Sequence, residues 1–512
     1  MSVFTVVETF FGPDDLYVTG VEGLEIVWVD ASGAISAEGV GERRLISSGI
    51  QGGGLMSMAL TSGGLALIDV VTTLPIDYAL SGPMQIEVLT LDGTPFVASF
   101  GAPATALSGY RLNGTGAFVD PVTYDSDTAP GAVAALEVIT HPDGNTLMFT
   151  SDVLGSGLSR WNVGSDGALQ YLGTLATPSG PMTTLPALAQ AQIDGQPYLL
   201  ALSAVDNALT SYAVAGDGTL TQAAKLGAAD GLGIATPQAV EVVVMNGQNF
   251  ALVAAGGSSS ISVIALEPDG GLRMVDHVID DLNTRFANLS TLEVIEVNDR
   301  VLVLAGGGDD GLSLLTLLPN GRLLHLESFA DTNDTNLTNV QAITAYQTKG
   351  TLEIFAAGSG DIGITHLQAD TGWLDDIIYG TNGNDTLTGT WRSDLITGGA
   401  GNDVINGGLG ADILMDGAGQ DTLTGGWGAD IFVLSKDGAR DVIADFNLYQ
   451  DRIDLSEFGR FYTLAGMGVQ VTSNGAILTI DGEELQIITE NGDPLDLYSL
   501  PMQNLFNLGH IE

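Results

Sequence analysis

The sequence predicts an all-β protein with an N-terminal β-propeller of seven blades, eight being the alternative count, and a C-terminal parallel β-roll with a β-rich cap. Three observations predict this. Glycine is abundant, with 69 in 512 residues. Short runs of β-branched residues are common, and long stretches with a helical hydrophobic period are almost absent. The first part of the chain repeats about every 51 residues, and a later part repeats every nine residues.

The long repeat predicts four strands per unit, the pattern of a propeller blade. Its first strand recurs at 86–93, 136–144, 240–247 and 292–298, and an apolar second strand follows each time. Five clear units run from about 84 to 339, and a sixth from about 340 stops near Leu367. The regular turn spacing favours this fold over an array of β-sandwiches.

The N-terminal part is expected to supply the rest of the ring. Asp15–Val18 and Leu65–Asp69 indicate one full and one abbreviated unit. A strand at Val3–Phe10 is predicted to complete the last blade and close the ring, because closure removes the open sheet edges.

The short repeat occupies residues 380–433 and follows the pattern G-G-x-G-x-D-x-U-x, where U is aliphatic or aromatic. Glycines at positions one, two and four allow tight turns with positive φ. The aspartate at position six offers the oxygen ligands that calcium prefers. A flexible Gly/Asp-rich linker is the alternative, but it would lack the residue at position eight, which can point inward from a short strand. That residue is Leu387, Ile396, Ile405, Leu414, Leu423 or Phe432.

If two units form one turn of a parallel roll, every second loop stacks on the same edge, and calcium lies between stacked aspartates. The predicted pairs are Asp385 with Asp403, Asp394 with Asp412, Asp403 with Asp421, and Asp412 with Asp430. The predicted metal site also includes Asp376 of a degenerate unit at 371–379 and the glycines Gly383, Gly399, Gly401, Gly408, Gly410, Gly417 and Gly419. Arg392 and Asp416 replace glycines, so the loops around Asp394 and Asp421 depart from the pattern.

The nine-residue units resemble the RTX, or hemolysin-type, calcium-binding repeats. The segment Asp441–Leu455 resembles the closing segment of RTX rolls in secreted proteases. The resemblance implies export through a type I secretion apparatus with an uncleaved C-terminal signal. The implied domains are a propeller at 1–370, a calcium-binding roll at 371–436, and a cap with the secretion region at 437–512.

Composition agrees with an exported protein. The net charge is −47, from 62 acidic and 15 basic residues, which argues against nucleic acid or an anionic membrane as a partner. Cysteine is absent, so metal is the expected substitute for disulfides. The N-terminus lacks the features of a Sec signal peptide, and no apolar run of membrane-spanning length occurs.

The propeller carries weaker signals. Thr140–Gly144 and Ser211–Leu220 resemble segments of the lactonase-like seven-bladed propellers. This resemblance implies hydrolase activity as one hypothesis for the propeller. The sequence contains neither a Gly-x-Ser-x-Gly elbow nor a His-Glu-x-x-His motif. The recurring glutamate of the first strands could bind one divalent cation in the central channel, but solvated carboxylates at its mouth or on an outer rim are the simpler alternative. These glutamates are Glu87, Glu137, Glu241 and Glu293.

The sequence therefore predicts a secreted, extracellular or surface-associated protein that binds several calcium ions. The absence of a recognisable catalytic group favours a propeller that binds a glycan or a cell-surface partner over an enzyme. A lactonase-like hydrolase with a channel metal is the first alternative. A structural component of a calcium-dependent surface layer is the second.

Overall fold

The structure, a computed structural model, describes residues 4–11, 21–30, 35–36, 42–49, 54–61, 64–71, 85–91, 94–100, 107–124, 133–152, 157–175, 185–360, 362–459 and 467–496. Within these residues the chain is all-β, with two short 3-10 turns at Ala228–Asp230 and Ser456–Phe458. None of the described residues forms a helix long and apolar enough to cross a membrane. The predicted strand at Asp15–Val18 and the C-terminal segment 497–512 lie outside the described residues.

Over the residues that the structure describes, the propeller has seven blades, which confirms the seven-blade count. The first blade contains β2 (Val21–Val29), β3 (Ile35–Ser36), β4 (Glu42–Gly49), β5 (Gly54–Thr61) and β6 (Gly64–Val71). The second contains β7 (Gln85–Leu89), β8 (Phe96–Phe100), β9 (Ser108–Leu112) and β10 (Phe118–Thr123). The third contains β11 (Val133–Thr140), β12 (Thr146–Asp152), β13 (Leu158–Val163) and β14 (Leu169–Leu175). The fourth contains β15 (Ala187–Ile193), β16 (Gln196–Ser203), β17 (Ala208–Val214) and β18 (Leu220–Leu226).

The remaining blades complete the ring. The fifth contains β19 (Pro237–Met245), β20 (Gln248–Ala255), β21 (Ser260–Leu266) and β22 (Leu272–Ile279). The sixth contains β23 (Thr291–Val297), β24 (Arg300–Gly306), β25 (Gly311–Leu317) and β26 (Leu323–Ala330). The seventh combines β27 (Val340–Thr348), β28 (Thr351–Gly358) and β29 (Ile364–Asp370) with β1 (Phe4–Phe10). β1 pairs antiparallel with β29, from Phe4 opposite Ala369 to Phe10 opposite Ile364. The predicted closure by the N-terminal strand is confirmed, and Leu65–Asp69 belongs to the full blade formed by residues 21–71.

Local sequence explains the blade hairpins. Asp194-Gly195 joins β15 to β16, and Asn246-Gly247 joins β19 to β20, and all four residues have positive φ. Two-residue turns with this geometry match the twist of paired strands, and Asn, Asp and Gly adopt it at low cost. The β20 and β25 strands are almost entirely buried because neighbouring blades cover both of their faces.

The axis of the propeller contains an open cavity of about 700 Å³. It is lined from all seven blades, by residues of or next to the first strands β2, β7, β11, β15, β19, β23 and β27. Each blade therefore presents its first strand to the axis, as the sequence predicts for propeller blades.

The C-terminal part is a parallel β-roll built from two sheets. One sheet contains β30 (Leu374–Tyr379), β32 (Ser393–Thr397), β34 (Ile413–Met415), β36 (Ile431–Val433) and β38 (Arg452–Asp454). The other contains β31 (Thr386–Thr388), β33 (Val404–Leu409), β35 (Thr422–Trp427) and β37 (Arg440–Phe446). Thr386 pairs with Val404 and Leu395 with Ile413, so units two apart stack, as predicted.

The residues at position eight fill the interior of the roll. Ile396, Ile405, Leu414, Leu423 and Phe432 are fully buried in one apolar cluster. The cap extends this cluster with β39 (Gly468–Thr472), β40 (Gly475–Ile480) and β41 (Glu483–Thr489), which continue the second sheet beside β37. Two-residue hairpin turns at Ser473-Asn474 and Asp481-Gly482 join these three strands.

The outer faces of the two roll sheets differ because alternate units differ at position seven. The second, fourth and sixth units carry Leu395, Ile413 and Ile431 there, and all three are buried against apolar residues of the propeller. The first and fifth units carry threonine at the same position, in the sheet that faces away. The alternation at position seven is visible in the sequence. Its cause is visible only in the structure, where the propeller covers one side of the roll.

Candidate metal centre

The position-six aspartates form two ladders along the roll. In each, a backbone N–H of one aspartate donates to Oδ1 of the aspartate on the next turn. One ladder runs Asp385, Asp403, Asp421 and Asp441, with N–O distances of 2.8, 2.6 and 3.0 Å. The other runs Asp394, Asp412, Asp430 and Asp451, with distances of 2.8, 2.9 and 3.0 Å. All four predicted aspartate pairs are therefore neighbours in the structure.

The second carboxylate oxygen has no such partner in the middle of the ladders. Oδ2 of Asp403, Asp412, Asp421 and Asp430 is buried and accepts no hydrogen bond. A buried carboxylate oxygen without a partner is costly, and a bound cation is one of the few groups that can satisfy it. Several carboxylate oxygens in a cradle of backbone carbonyls are the donor set of calcium. The residues present therefore fit a row of calcium ions.

Burial also changes the acidity of these groups. It raises the pKa of Asp412 to about 7 and the pKa values of Asp421 and Asp430 to about 6, with a smaller contribution from neighbouring aspartates. A raised carboxyl pKa means that the ionised form is unfavourable in the metal-free fold. Calcium would reverse this, because it supplies positive charge where the carboxylates are buried.

The glycines act in two ways, one of which differs from the prediction. At positions two and four, the glycines from Gly399 onwards have positive φ, as predicted, whereas Gly383 at position four of the first unit does not. The position-one glycines Gly398 and Gly407 do not have positive φ. They are needed because a Cβ there would lie 2.6 and 2.3 Å from Oδ2 of the aspartate in the same unit. Position one is small so that the carboxylate can lie against the backbone.

The first aspartate of each ladder has a different environment. Oδ2 of Asp385 accepts hydrogen bonds from the N–H and hydroxyl of Thr381, both at 2.7 Å, and these bonds lower its pKa. Oδ2 of Asp394 accepts from Thr390 N at 2.7 Å in the same way. Threonine therefore replaces glycine at position two where the roll begins, and it satisfies the oxygen that is left without a partner further along.

The structure does not bring Asp376 into a ladder. The pairing of β30 with β32 shifts register between Leu374 and Ile377, and Asp376 is exposed with its N–H directed to Asp375. Gly383 belongs to the outermost loop, where a Cβ would meet little.

The nine-residue spacing does not identify Asp441 and Asp451 as ladder members. They belong to the closing segment, and their spacing from the preceding aspartates is 20 and 21 residues in place of 18. The signal that could have found them is the aliphatic residue two positions further on: Ile443 and Ile453 lie in the roll interior like the position-eight residues.

The propeller axis holds the other predicted acidic group. Glu87 and Glu241 line the axial cavity, and Glu87 and Glu137 line an adjoining cavity of about 830 Å³. Glu25 of the first blade, which is outside the recurring first-strand pattern, also belongs to this group, because its charge interacts with those of Glu87 and Glu241. Burial raises the pKa of Glu25 and Glu137 to about 8 and of Glu87 and Glu241 to about 7. Burial also raises the pKa of Glu293 well above its usual value.

The repeated loops, their aspartate ladders and the unpartnered buried oxygens define a calcium-binding β-roll. Comparison with known proteins agrees: residues 370–405, 388–415 and 406–436 match the family model for the RTX calcium-binding nonapeptide repeat, in four copies. Residues 370–436 of this chain thus contain RTX calcium-binding repeats. The match leaves the propeller uncovered.

Solved structures resemble the chain only distantly. A protein from Lactobacillus plantarum is 13% identical with a TM-score of 0.39, and the match covers 68% of this chain and 96% of that one. A functionally unknown protein from Desulfotomaculum acetoxidans DSM 771 is 12% identical with a TM-score of 0.40, covering 62% and 90%. None of the curated proteins compared with the chain matches it.

Proposed function

We propose that this protein is exported through a type I secretion apparatus and that its roll folds when it meets extracellular calcium. The observation that carries the proposal is the set of four buried, unpartnered oxygens on Asp403, Asp412, Asp421 and Asp430. Such a set stabilises the fold only when cations occupy it. The absence of cysteine and the acidic composition are consistent with export into a calcium-containing medium.

The mechanism is a coupling of folding to calcium binding. Without calcium, the ladder aspartates are brought together in a buried row, and their mutual repulsion opposes folding. The roll is also rich in glycine, whose backbone loses much entropy on ordering. Binding of calcium at roughly millimolar concentration, in the range of extracellular calcium modules, would add its free energy to folding. Low cytosolic calcium would keep the segment unfolded and able to pass an exporter.

The domain limits follow from this account. The propeller would occupy 1–370, the calcium-dependent roll 371–436, and the cap with the export signal 437–512. The cap strand β41 pairs with β37 and so continues the second sheet of the roll. An export signal recognised in the unfolded chain would become part of the folded cap after secretion.

The propeller would act as the binding module, with the axial cavity as its ligand site. The cavity holds carboxyl groups from several blades and has an acidic character. Carboxyl groups with pKa values near 7 can both donate to and accept from hydroxyl groups, which suits a glycan at a cell surface. Binding of neutral glycans to wild type, lost in Glu87→Leu, which removes both functions, but retained in the exposed-site variant Glu296→Leu, would test this.

A hydrolase with a metal in the channel has less support. Within the described part of the chain, the one group of three carboxylates close enough to share an ion is in the roll, and the channel glutamates do not form such a group. A surface-layer role predicts ordered assembly of the pure protein when calcium is added, which light scattering would detect.

The experiment that tests the calcium proposal uses the full chain in chelator and in millimolar calcium. Circular dichroism should show β-structure gained with calcium, and the same titration with magnesium should give much less because magnesium demands a rigid octahedral site. Identical spectra in chelator and in calcium would overturn the proposal.

A further inference from the structure

Asp416 stands where the repeat normally has its first glycine, and its side chain lies in the wall of the roll. The residue is fully buried. Its Oδ1 accepts hydrogen bonds from Gly417 N at 2.6 Å and from Ser435 N at 2.9 Å. The sequence pattern alone presents this aspartate as a defect in the fifth unit.

The structure places two further carboxylates beside it. One carboxylate oxygen each from Asp416, Asp421 and Asp441 lies within 4.8 Å of the other two, and all three residues are buried. Asp421 belongs to the same repeat unit as Asp416, and Asp441 comes from the closing segment one turn further along the ladder. Calcium–oxygen bonds are about 2.3–2.6 Å long, so oxygens up to about 5 Å apart can contact one ion.

An independent feature of the site points to a ligand. Asp421 is 1% exposed, and its Oδ2 accepts no hydrogen bond. In the regular units, this oxygen lies against position one: a Cβ on Gly398, Gly407 or Gly425 would approach Oδ2 of its own aspartate to 2.6, 2.3 or 2.4 Å. Position one of the Asp421 unit is Asp416. The unpartnered oxygen of Asp421 thus belongs to a carboxylate that lies beside the carboxylate of Asp416.

We propose that Asp416, Asp421 and Asp441 form a calcium site with three carboxylates at the cap end of the roll, and that Asp416 makes it the tightest site of the row. The inference rests on the proposed calcium-dependent folding, but it concerns a ligand that the nonapeptide pattern does not contain. Sites with more carboxylate ligands bind calcium more tightly, because affinity rises with ligand charge.

The position of the site gives it a role in assembly. Asp421 belongs to the fifth repeat unit, whereas Asp441 is the second residue of β37, the strand that joins the roll to the cap. An ion shared between them holds the closing segment on the roll. The site would fill first as calcium rises and order the cap end, on which the preceding turns can stack.

The test compares Asp416→Asn with wild type in a calcium titration of the full chain, read by isothermal calorimetry and by native mass spectrometry. Asparagine keeps an oxygen that can accept from Gly417 and Ser435, so a purely structural role would leave calcium binding unchanged. We expect Asp416→Asn to weaken the tightest site by about tenfold or more. Asp194→Asn is the control, because this substitution removes the same charge from an exposed turn residue.

A second variant distinguishes loss of the calcium site from misfolding of the first variant. Asp416→Gly restores the residue that the repeat carries at this position, so it should fold, and its tightest site should weaken as in Asp416→Asn. Calcium binding by both variants that matches wild type would overturn the three-carboxylate site while leaving the proposed function intact. A wild-type chain that binds no calcium would overturn both, so the two failures are distinguishable.

Discussion

The backbone N–H of Asp412 donates a hydrogen bond of 2.9 Å to Oδ1 of Asp430, one turn further along the roll, while Oδ2 of Asp430 is buried without a partner. One oxygen of the carboxylate thus fixes the stacking of two loops, and the other is left for a cation. The same division recurs at Asp403, Asp412 and Asp421. Loop register and metal binding therefore depend on the same side chains.

Replacing Asp430 with asparagine should separate these two roles. The amide oxygen can still accept from Asp412 N, but the variant loses a negative charge that would bind calcium. We expect the calcium concentration at the folding midpoint to rise by about tenfold, since ligand charge sets the affinity of such sites. Calcium titration followed by circular dichroism measures this. An unchanged midpoint would contradict it, and Asp194→Asn controls for the loss of charge.

Two glycines at the same repeat position should respond differently to alanine. Gly401 has a φ of +122°, and a Cβ there would lie 2.6 Å from the carbonyl carbon of Gly383 in the stacked loop. Gly383 itself has space, with its nearest neighbour at 3.9 Å. We expect Gly401→Ala to destabilise calcium-loaded roll by about 2–4 kcal/mol and Gly383→Ala by less than about 1 kcal/mol. Thermal melts in calcium decide this, and equal losses would contradict the stacked geometry.

Arg300 should couple the roll to the propeller. This buried residue begins β24, and its Nε and Nη2 donate to the carbonyl oxygens of Asp375 and Ser393 at 2.9 and 2.5 Å. Arg300→Met removes both hydrogen bonds, so we expect a loss of about 2–4 kcal/mol, with the roll unfolding at lower temperature than the propeller. Arg273→Met, at an exposed ion pair, is the control and should cost under about 1 kcal/mol. Joint unfolding of both parts in Arg300→Met would contradict the coupling.

The carboxyl group of Glu25 should make the propeller less stable as pH rises. Burial, with the charges of Glu87 and Glu241, raises its pKa to about 8 from the usual 4.5. The folded state therefore holds a proton that the unfolded state has lost between these values, and stability falls as pH rises through this window. Glu25→Gln should be neutral at pH 4 and stabilising above pH 8, by about 1 kcal/mol after allowing for water in the channel.

Melting temperatures of Glu25→Gln and wild type across this pH range provide the measurement. Glu296→Gln, an exposed carboxyl on β23, is the matched control for a change of one charge. A difference between Glu25→Gln and wild type that does not grow with pH would contradict the buried, electrostatically coupled channel.

Much of the fold could be predicted because it repeats. The period of the blades placed the glutamates of the first strands, and Val3–Phe10 was recognisable as the missing strand of a blade that ended early. The nine-residue period gave the neighbours in each aspartate ladder, because stacking of alternate units follows from one turn per two units.

The features that could not be predicted arise where elements from distant parts of the chain meet. Asp441 and Asp451 fall outside the repeat spacing, so their place in the ladders depends on how the closing segment folds back. The sequence marks Asp416 as a departure from the pattern and gives no indication that Asp441 lies beside it. The apolar residues at position seven, such as Ile413, are explained only by the propeller surface that covers them.

Hydrogen exchange of the full chain, in chelator and in millimolar calcium, tests the calcium-driven folding of the roll most directly. We predict that peptides from 386–454 exchange rapidly in chelator and become protected in calcium. Peptides from the blade strands β15 to β22 should be protected in both conditions. Protection of 386–454 that is the same with and without calcium would contradict the account.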